Sequence, residues 1–138
     1  MTNFENGRKL LKTANEYVEK MDLSYSKKSW NLVVRHAQEV VELSLKSLLK
    51  LMGVDYPKDH DVAGVFAETV KQRGLKVDEK FLEEIKNISS WLTKQRAPAF
   101  YYEEEYTEEQ AERAKSDAEK VIDFVNKLWK ELGKQGAW

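Results

Sequence analysis

Apolar residues recur at three- and four-residue steps through most of the chain, and no segment alternates long enough to make a half-buried strand. The pattern predicts an all-α protein. A first helix is expected from about Asn3 to Met21, with Phe4, Leu11, Ala14, Val18 and Met21 on one face and Thr2 and Glu5 spaced as a capping box. Gly7 leaves a gap in that stripe. A second helix, expected to be the longest, runs from about Ser26 to Met52; it buries Trp30, Val34, Ala37, Val41, Leu45, Leu48 and Met52, with Gly53 as its C-terminal cap. A shorter helix from Asp61 to Arg73 presents Val62, Val65, Phe66 and Val70 and stops at Gly74.

A fourth helix opens at Asp78, a good N-cap residue, carries Phe81, Ile85, Ile88 and Leu92 toward a core, and fades near Gln95. The fifth begins at the capping pair Thr107 and Gln110 and repeats Ala111, Ala114, Ala118, Val121, Val125, Leu128 and Leu132 before Gly133. Pro57 and Pro98 fall where the helical pattern stops, because proline lacks an amide donor and restricts the residue before it. Short connections imply an antiparallel bundle of four principal helices plus one short one. Residues 1–133 read as a single domain, and 134–138, Trp138 included, as a frayed tail. Trp30, Trp91 and Trp129 read as core or interface anchors.

Charge and composition narrow what such a bundle can do. The 23 basic side chains nearly cancel the 24 acidic ones, so no whole-molecule field draws the protein to nucleic acid or membranes, and any affinity for phosphates has to come from a local patch. Cysteine is absent, which excludes disulfides and thiolate metal sites and agrees with a reducing compartment. The amino terminus lacks an apolar signal core, and the apolar runs are far shorter than the ~20 residues a membrane helix requires. A cytoplasmic protein without membrane contact is expected.

One stretch carries a family resemblance. Trp30, Arg35-His36-Ala37-Gln38-Glu39, Glu42-Leu43 and Leu48-Leu49-Lys50, followed by Gly53, a short loop and His60-Asp61-Val62, resemble the second helix and following loop of prokaryotic HEPN domains. The resemblance continues more loosely over nearly the whole chain and implies the same helical bundle. It also implies a homodimer, and a partner in the form of a minimal nucleotidyltransferase within a toxin–antitoxin-like or nucleotide-handling pair. HEPN ribonucleases typically carry an arginine, four to six intervening residues and a histidine, brought together across the dimer. Neither His36 nor His60 follows an arginine at that spacing. In the corresponding region stands Arg96-Ala97-Pro98-Ala99-Phe100-Tyr101-Tyr102, where Arg96 matches the family's arginine and Tyr101 or Tyr102 takes the histidine's place.

That replacement alters the chemistry. Metal-free RNA cleavage needs an acid or base near neutral pKa, which histidine supplies, whereas tyrosine titrates near 10. Tyrosine can still donate a hydrogen bond or stack on a base, and Arg96 can grip a phosphate through its planar fork. Arg96 and Tyr101 are therefore the catalytic candidates, and Arg96, Tyr101 and Tyr102 the ligand-binding ones. A purely structural role competes with this, in which Phe100, Tyr101 and Tyr102 pin a loop and Arg96 pairs with the acidic segment after it. Glu103, Glu104 and Glu105 argue against an open RNA groove, while Glu108 and Glu109 complement a helix N-terminus.

Elsewhere the candidates are weaker. Arg35 and Glu39 are spaced as an i,i+4 pair, with His36 beside them. Asp59-His60-Asp61 cannot converge on one metal ion, and capping by Asp59 or Asp61 is the simpler role. No Walker loop, dinucleotide fingerprint, zincin helix or nucleophile elbow occurs, and neither a metal nor a cofactor is expected. The leading reading is a nucleotide- or RNA-phosphate-binding protein whose ribonuclease activity is weak or lost. An active metal-independent endoribonuclease and a helical interaction module without a ligand site are the alternatives.

Overall fold

The computed structural model describes residues 2–134, and among them five helices and no strand: α1 (Asn3–Ser26), α2 (Trp30–Leu51), α3 (Ala63–Gln72), α4 (Glu79–Phe100) and α5 (Glu108–Lys134). This is the expected all-α bundle of four long helices and one short one. Contacts along the helices set their directions. Gly7 lies on Ser47 and Leu51 while Tyr17 stacks on His36, so α1 and α2 run antiparallel. Arg35 reaches Arg96 and Asn31 reaches Ala99, so α2 and α4 do as well. Helix α2 packs on α1, α4 and α5 and is the centre of the molecule.

The core follows from the predicted stripes. Val34, Ala37, Val41, Leu45 and Leu48 of α2 meet Ala14 and Met21 of α1, Ile85 and Leu92 of α4, and Ala111, Ala114, Ala118, Val121 and Val125 of α5, all buried. The three alanines of α5 have no bulk beyond Cβ, which lets this helix approach closely at its N-terminal half. Phe66 of α3, Phe81 and Phe124 meet edge to face, with ring centroids 6.2 and 5.1 Å apart, and pin the short helix to the bundle.

Several boundaries depart from the sequence reading. Helix α1 continues five residues beyond Met21, because no breaker intervenes until Lys28, whose φ of 60° ends the run; Tyr25 in the added turn packs edge-on against Trp30 at 5.3 Å. Ser26 thus belongs to α1, and α2, at 22 residues, is shorter than α1 at 24 and α5 at 27. Trp30 and Met52, expected in the core, are only partly buried, since each sits at an end of α2. Trp91 faces outward. Helix α3 starts at Ala63, with the Asp61 carboxylate accepting the Ala63 amide at 3.1 Å. Asp78 stands at the N-cap of α4 but its side chain makes no capping bond. The Thr2–Glu5 cap and the reciprocal Thr107–Gln110 box form as expected. Both C-terminal glycines adopt the left-handed conformation, Gly53 at φ 70° and Gly74 at φ 65°. Beyond Lys134 the expected frayed tail, with Trp138, lies outside the described residues.

Gly7 is buried where α1 crosses α2. A Cβ there would come within 2.9 Å of the Ser47 carbonyl oxygen and 3.1 Å of the Trp129 ring. The gap in the apolar stripe is thus a close backbone contact, not a weakness in the helix.

Candidate functional site

Pro98 does not end α4; the helix runs through it to Phe100. Proline costs a helix the bond from its own amide, which here would go to Lys94, an exposed residue whose carbonyl water can satisfy. The turn then closes normally, with the Tyr101 amide donating to Ala97 at 3.0 Å and the Glu103 amide to Pro98 at 3.0 Å. As a result Arg96 is not beyond the helix at the bundle's end but within it, half-buried against α2. Its Nε is buried and has no hydrogen-bond partner. It makes no ion pair with the acidic run 103–105 among the described residues, so the structural role considered for it does not form.

A second arginine meets it there. Arg35 of α2 donates from Nη1 to the Arg96 carbonyl at 3.0 Å, approaches Glu39 with Nε at 3.8 Å, and lies over the Phe100 ring at 4.7 Å from its centroid. Burial pulls the Arg35 pKa below its ordinary value and the charge of Arg96 adds to this, against the opposing pull of Glu39, Tyr101 and Glu42. The Arg35 and Arg96 side chains thus come close in a partly buried corner where α2 meets α4. Beyond them Phe100, Tyr101 and Tyr102 form a cluster of exposed aromatics, Tyr101 at 69% and Tyr102 at 61% exposure. Phe100 and Tyr101 meet edge to face at 5.0 Å. Tyr102 holds φ at 55°, the left-handed conformation that closes the C-terminus of α4 and here is carried by a bulky residue in place of glycine.

Of these aromatics Phe100 packs under Arg35, while Tyr101 and Tyr102 are mostly exposed; two residues absent from the sequence-level candidates hold the loop. Buried Asn31 donates from Nδ2 to the carbonyls of Ala99 at 3.0 Å and Glu104 at 2.8 Å, and its Oδ1 accepts the Tyr106 amide at 3.1 Å. Buried Tyr106 donates its hydroxyl to Gln95 Oε1 at 2.5 Å. Burial, with the Glu104 carboxylate beside it, pushes this phenol up to about 12. Asn31 had a readable signal, since it falls on the buried stripe of α2 three residues before Val34, where an unpartnered amide would be costly. Tyr106 had a weaker one, a lone aromatic after an acidic run.

Residues 8–128 match the HEPN domain family. The chain is a HEPN protein. It is 26% identical over 142 residues to the protein named Putative toxin MJ1304 of Methanocaldococcus jannaschii, a match covering 94% of this chain and 91% of that one. Its fold resembles the crystal structure of ST0689, an archaeal HEPN homologue, with a TM-score of 0.68 at 21% identity over 89% of this chain and 97% of the other.

In this HEPN chain the histidines are engaged by carboxylates of α2, and His36 shares Glu39 with Arg35. His36 accepts or donates at Nδ1 to Glu39 at 3.1 Å and stacks on Tyr17, centroids 5.9 Å apart. His60 meets Glu42 at 3.0 Å. Glu42 also accepts from Gln38 at 2.9 Å and Lys46 at 2.8 Å; burial alone would raise its pKa, but these hydrogen bonds and the Lys46 charge outweigh it and hold the carboxyl below its ordinary value. Among the described residues no group of three acidic, histidine or cysteine side chains is arranged to hold a metal, and no helix is long and apolar enough to cross a membrane. A cavity of about 740 Å³ lies elsewhere, between α4 and α5 around Trp91. It is lined by Glu84, Glu109 and Asp117 against a single arginine, Arg113, which is itself paired with Asp117, so its charge suits a phosphate less well than the Arg96 corner does.

Proposed function

We propose that this HEPN protein binds a nucleotide or an RNA phosphate at Arg96 and Arg35, with Tyr101 and Tyr102 contacting the base or sugar. It does so as a cytoplasmic homodimer beside a minimal nucleotidyltransferase, in a toxin–antitoxin-like or nucleotide-handling pair, with ribonuclease activity weak or lost. The observation that carries this reading is the Arg35–Arg96 corner. Arg35 is tied to the Arg96 turn of α4 close enough for the two charges to repel, and its guanidinium lies over Phe100, beside exposed Tyr101. An anion there would relieve the repulsion between the two guanidinium groups, and stacking would add affinity that tolerates any base. Neither histidine follows Arg96 in the family's spacing, and tyrosine, which titrates near 10, is a poor acid or base at neutral pH, which favours binding over turnover.

The likeness to a protein named as a toxin supports the competing endoribonuclease reading, and one experiment separates the two. Titration with uridine monophosphate and with UpU should show binding weakened about tenfold or more by Arg96→Ala, the loss of one or two charge-assisted hydrogen bonds. Wild-type protein should leave single-stranded RNA essentially uncut without metal. Unchanged affinity in Arg96→Ala would remove the site; metal-free cleavage lost in both Arg96→Ala and Tyr101→Phe would establish a ribonuclease instead.

A further inference from the structure

We infer that the outer face of α2, where α1 runs beside it, holds a second phosphate anchor built from Lys9, Lys50 and Tyr56, so that the protein takes a single-stranded polynucleotide rather than a lone nucleotide. The inference rests on the phosphate-binding reading of Arg96 and extends it. A cleft of about 310 Å³ opens there, lined by Asn6, Lys9, Leu10, Thr13, Lys50 and Tyr56. The Tyr56 ring is half-buried, with the Lys46 and Lys50 ammonium groups 5.3 and 5.4 Å from its centroid. Lys46 is committed to Glu42, but among the described residues neither Lys9 nor Lys50 makes an ion pair. Two ammonium groups without a counter-charge beside a fixed aromatic ring are what a phosphate and its neighbouring base require.

The position of this cleft ties it to the first site. Arg35, Glu39, Glu42, Lys46 and Lys50 follow one another at steps of four, three, four and four, so they share one face of α2. From Arg35 to Lys50 the helix rises about 22 Å, a span for several nucleotides. Cation and aromatic recur at the Arg35 end of this face: Lys20 lies over Tyr17 at 4.6 Å, and Tyr17 stacks on His36. The two carboxylates on this face are each engaged by basic side chains, Glu39 by Arg35 and His36, Glu42 by Lys46 and His60. A protein partner would be expected to cover apolar surface, yet none of the exposed large apolar side chains among the described residues lines the cleft.

The test compares a labelled oligouridylate of about ten residues, long enough for both anchors, with UpU, which is not, by anisotropy over a range of salt. Lys9→Ala/Lys50→Ala should weaken the long oligomer several-fold and lower its salt slope by about 0.7 for each phosphate that no longer meets a lysine, while leaving UpU unchanged. Arg96→Ala should weaken both ligands. If the lysine variant binds the long oligomer as tightly and with the same slope as wild type, the second anchor is wrong while the Arg96 site stands. If Arg96→Ala changes nothing but the lysine variant does, the proposed site falls and the α2 face survives. If wild type binds no RNA and the lysine variant shifts the sedimentation of the protein instead, the face is a protein contact and the inference is overturned.

Discussion

Tyr106 shows how a single side chain supports the site without touching a ligand. It is buried between α4 and the acidic run, its hydroxyl held by Gln95 and its amide by Asn31, so the segment carrying Tyr101 and Tyr102 is fixed at its far end. A phenol raised from 10.0 to about 12 is favoured in its neutral form by the fold. The stability this contributes is complete below pH 10 and is lost as the pH rises toward 12. Tyr106→Phe should therefore cost about 1 kcal/mol at neutral pH through the lost hydrogen bond, yet flatten the alkaline fall in melting temperature. Melts of the two proteins across the alkaline range check this. Parallel curves would mean that Tyr106 does not titrate with unfolding.

At the scale of the helices, the contact between α1 and α2 depends on a missing side chain. A methyl group at residue 7 would meet the Ser47 carbonyl oxygen and the Leu51 amide, both backbone atoms that cannot turn aside as a flexible side chain would. Alanine gains up to about 1 kcal/mol in helix propensity over glycine, but overpacking a close contact costs about 1 to 3 kcal/mol. Gly7→Ala should accordingly lower the melting temperature by a few degrees; a rise would show that the two helices can separate freely.

The same position marks what the sequence could and could not disclose. The apolar stripes of α2 and α5 were legible because each repeats through several turns and only a buried helix face explains them. A single glycine in a stripe reads equally as a defect or a close approach, and only the neighbouring helix decides. Pro98 misled for a related reason: it normally ends a helix, but here the lost amide bond falls on an exposed turn that tolerates it. That one residue relocated Arg96 from a loop to the interior edge of α4. Its consequence, the meeting with Arg35 across sixty-one positions, is a tertiary fact with no local signature.

For the molecule as a whole, Glu42 is the point where central helix, loop and short helix are joined. Its carboxylate accepts from Gln38 and Lys46 within α2 and from His60 in the loop before α3. The adjoining Asp61 caps α3 and accepts the Ser89 hydroxyl of α4 at 2.7 Å. Protonating Glu42 would free that loop from α2 and loosen α3 with it. Because the folded protein holds this carboxyl below its ordinary 4.5, its contribution is present above that pH and disappears as the pH falls through and below it. The informative quantity is a difference between two proteins. Glu42→Gln should be less stable than wild type at neutral pH and should converge on it as the solution is acidified below about 4.5, with thermal melts of both proteins reading the gap. A gap that stays constant to low pH would show that Glu42 acts by shape and hydrogen bonding alone, and that its charge does not hold the loop.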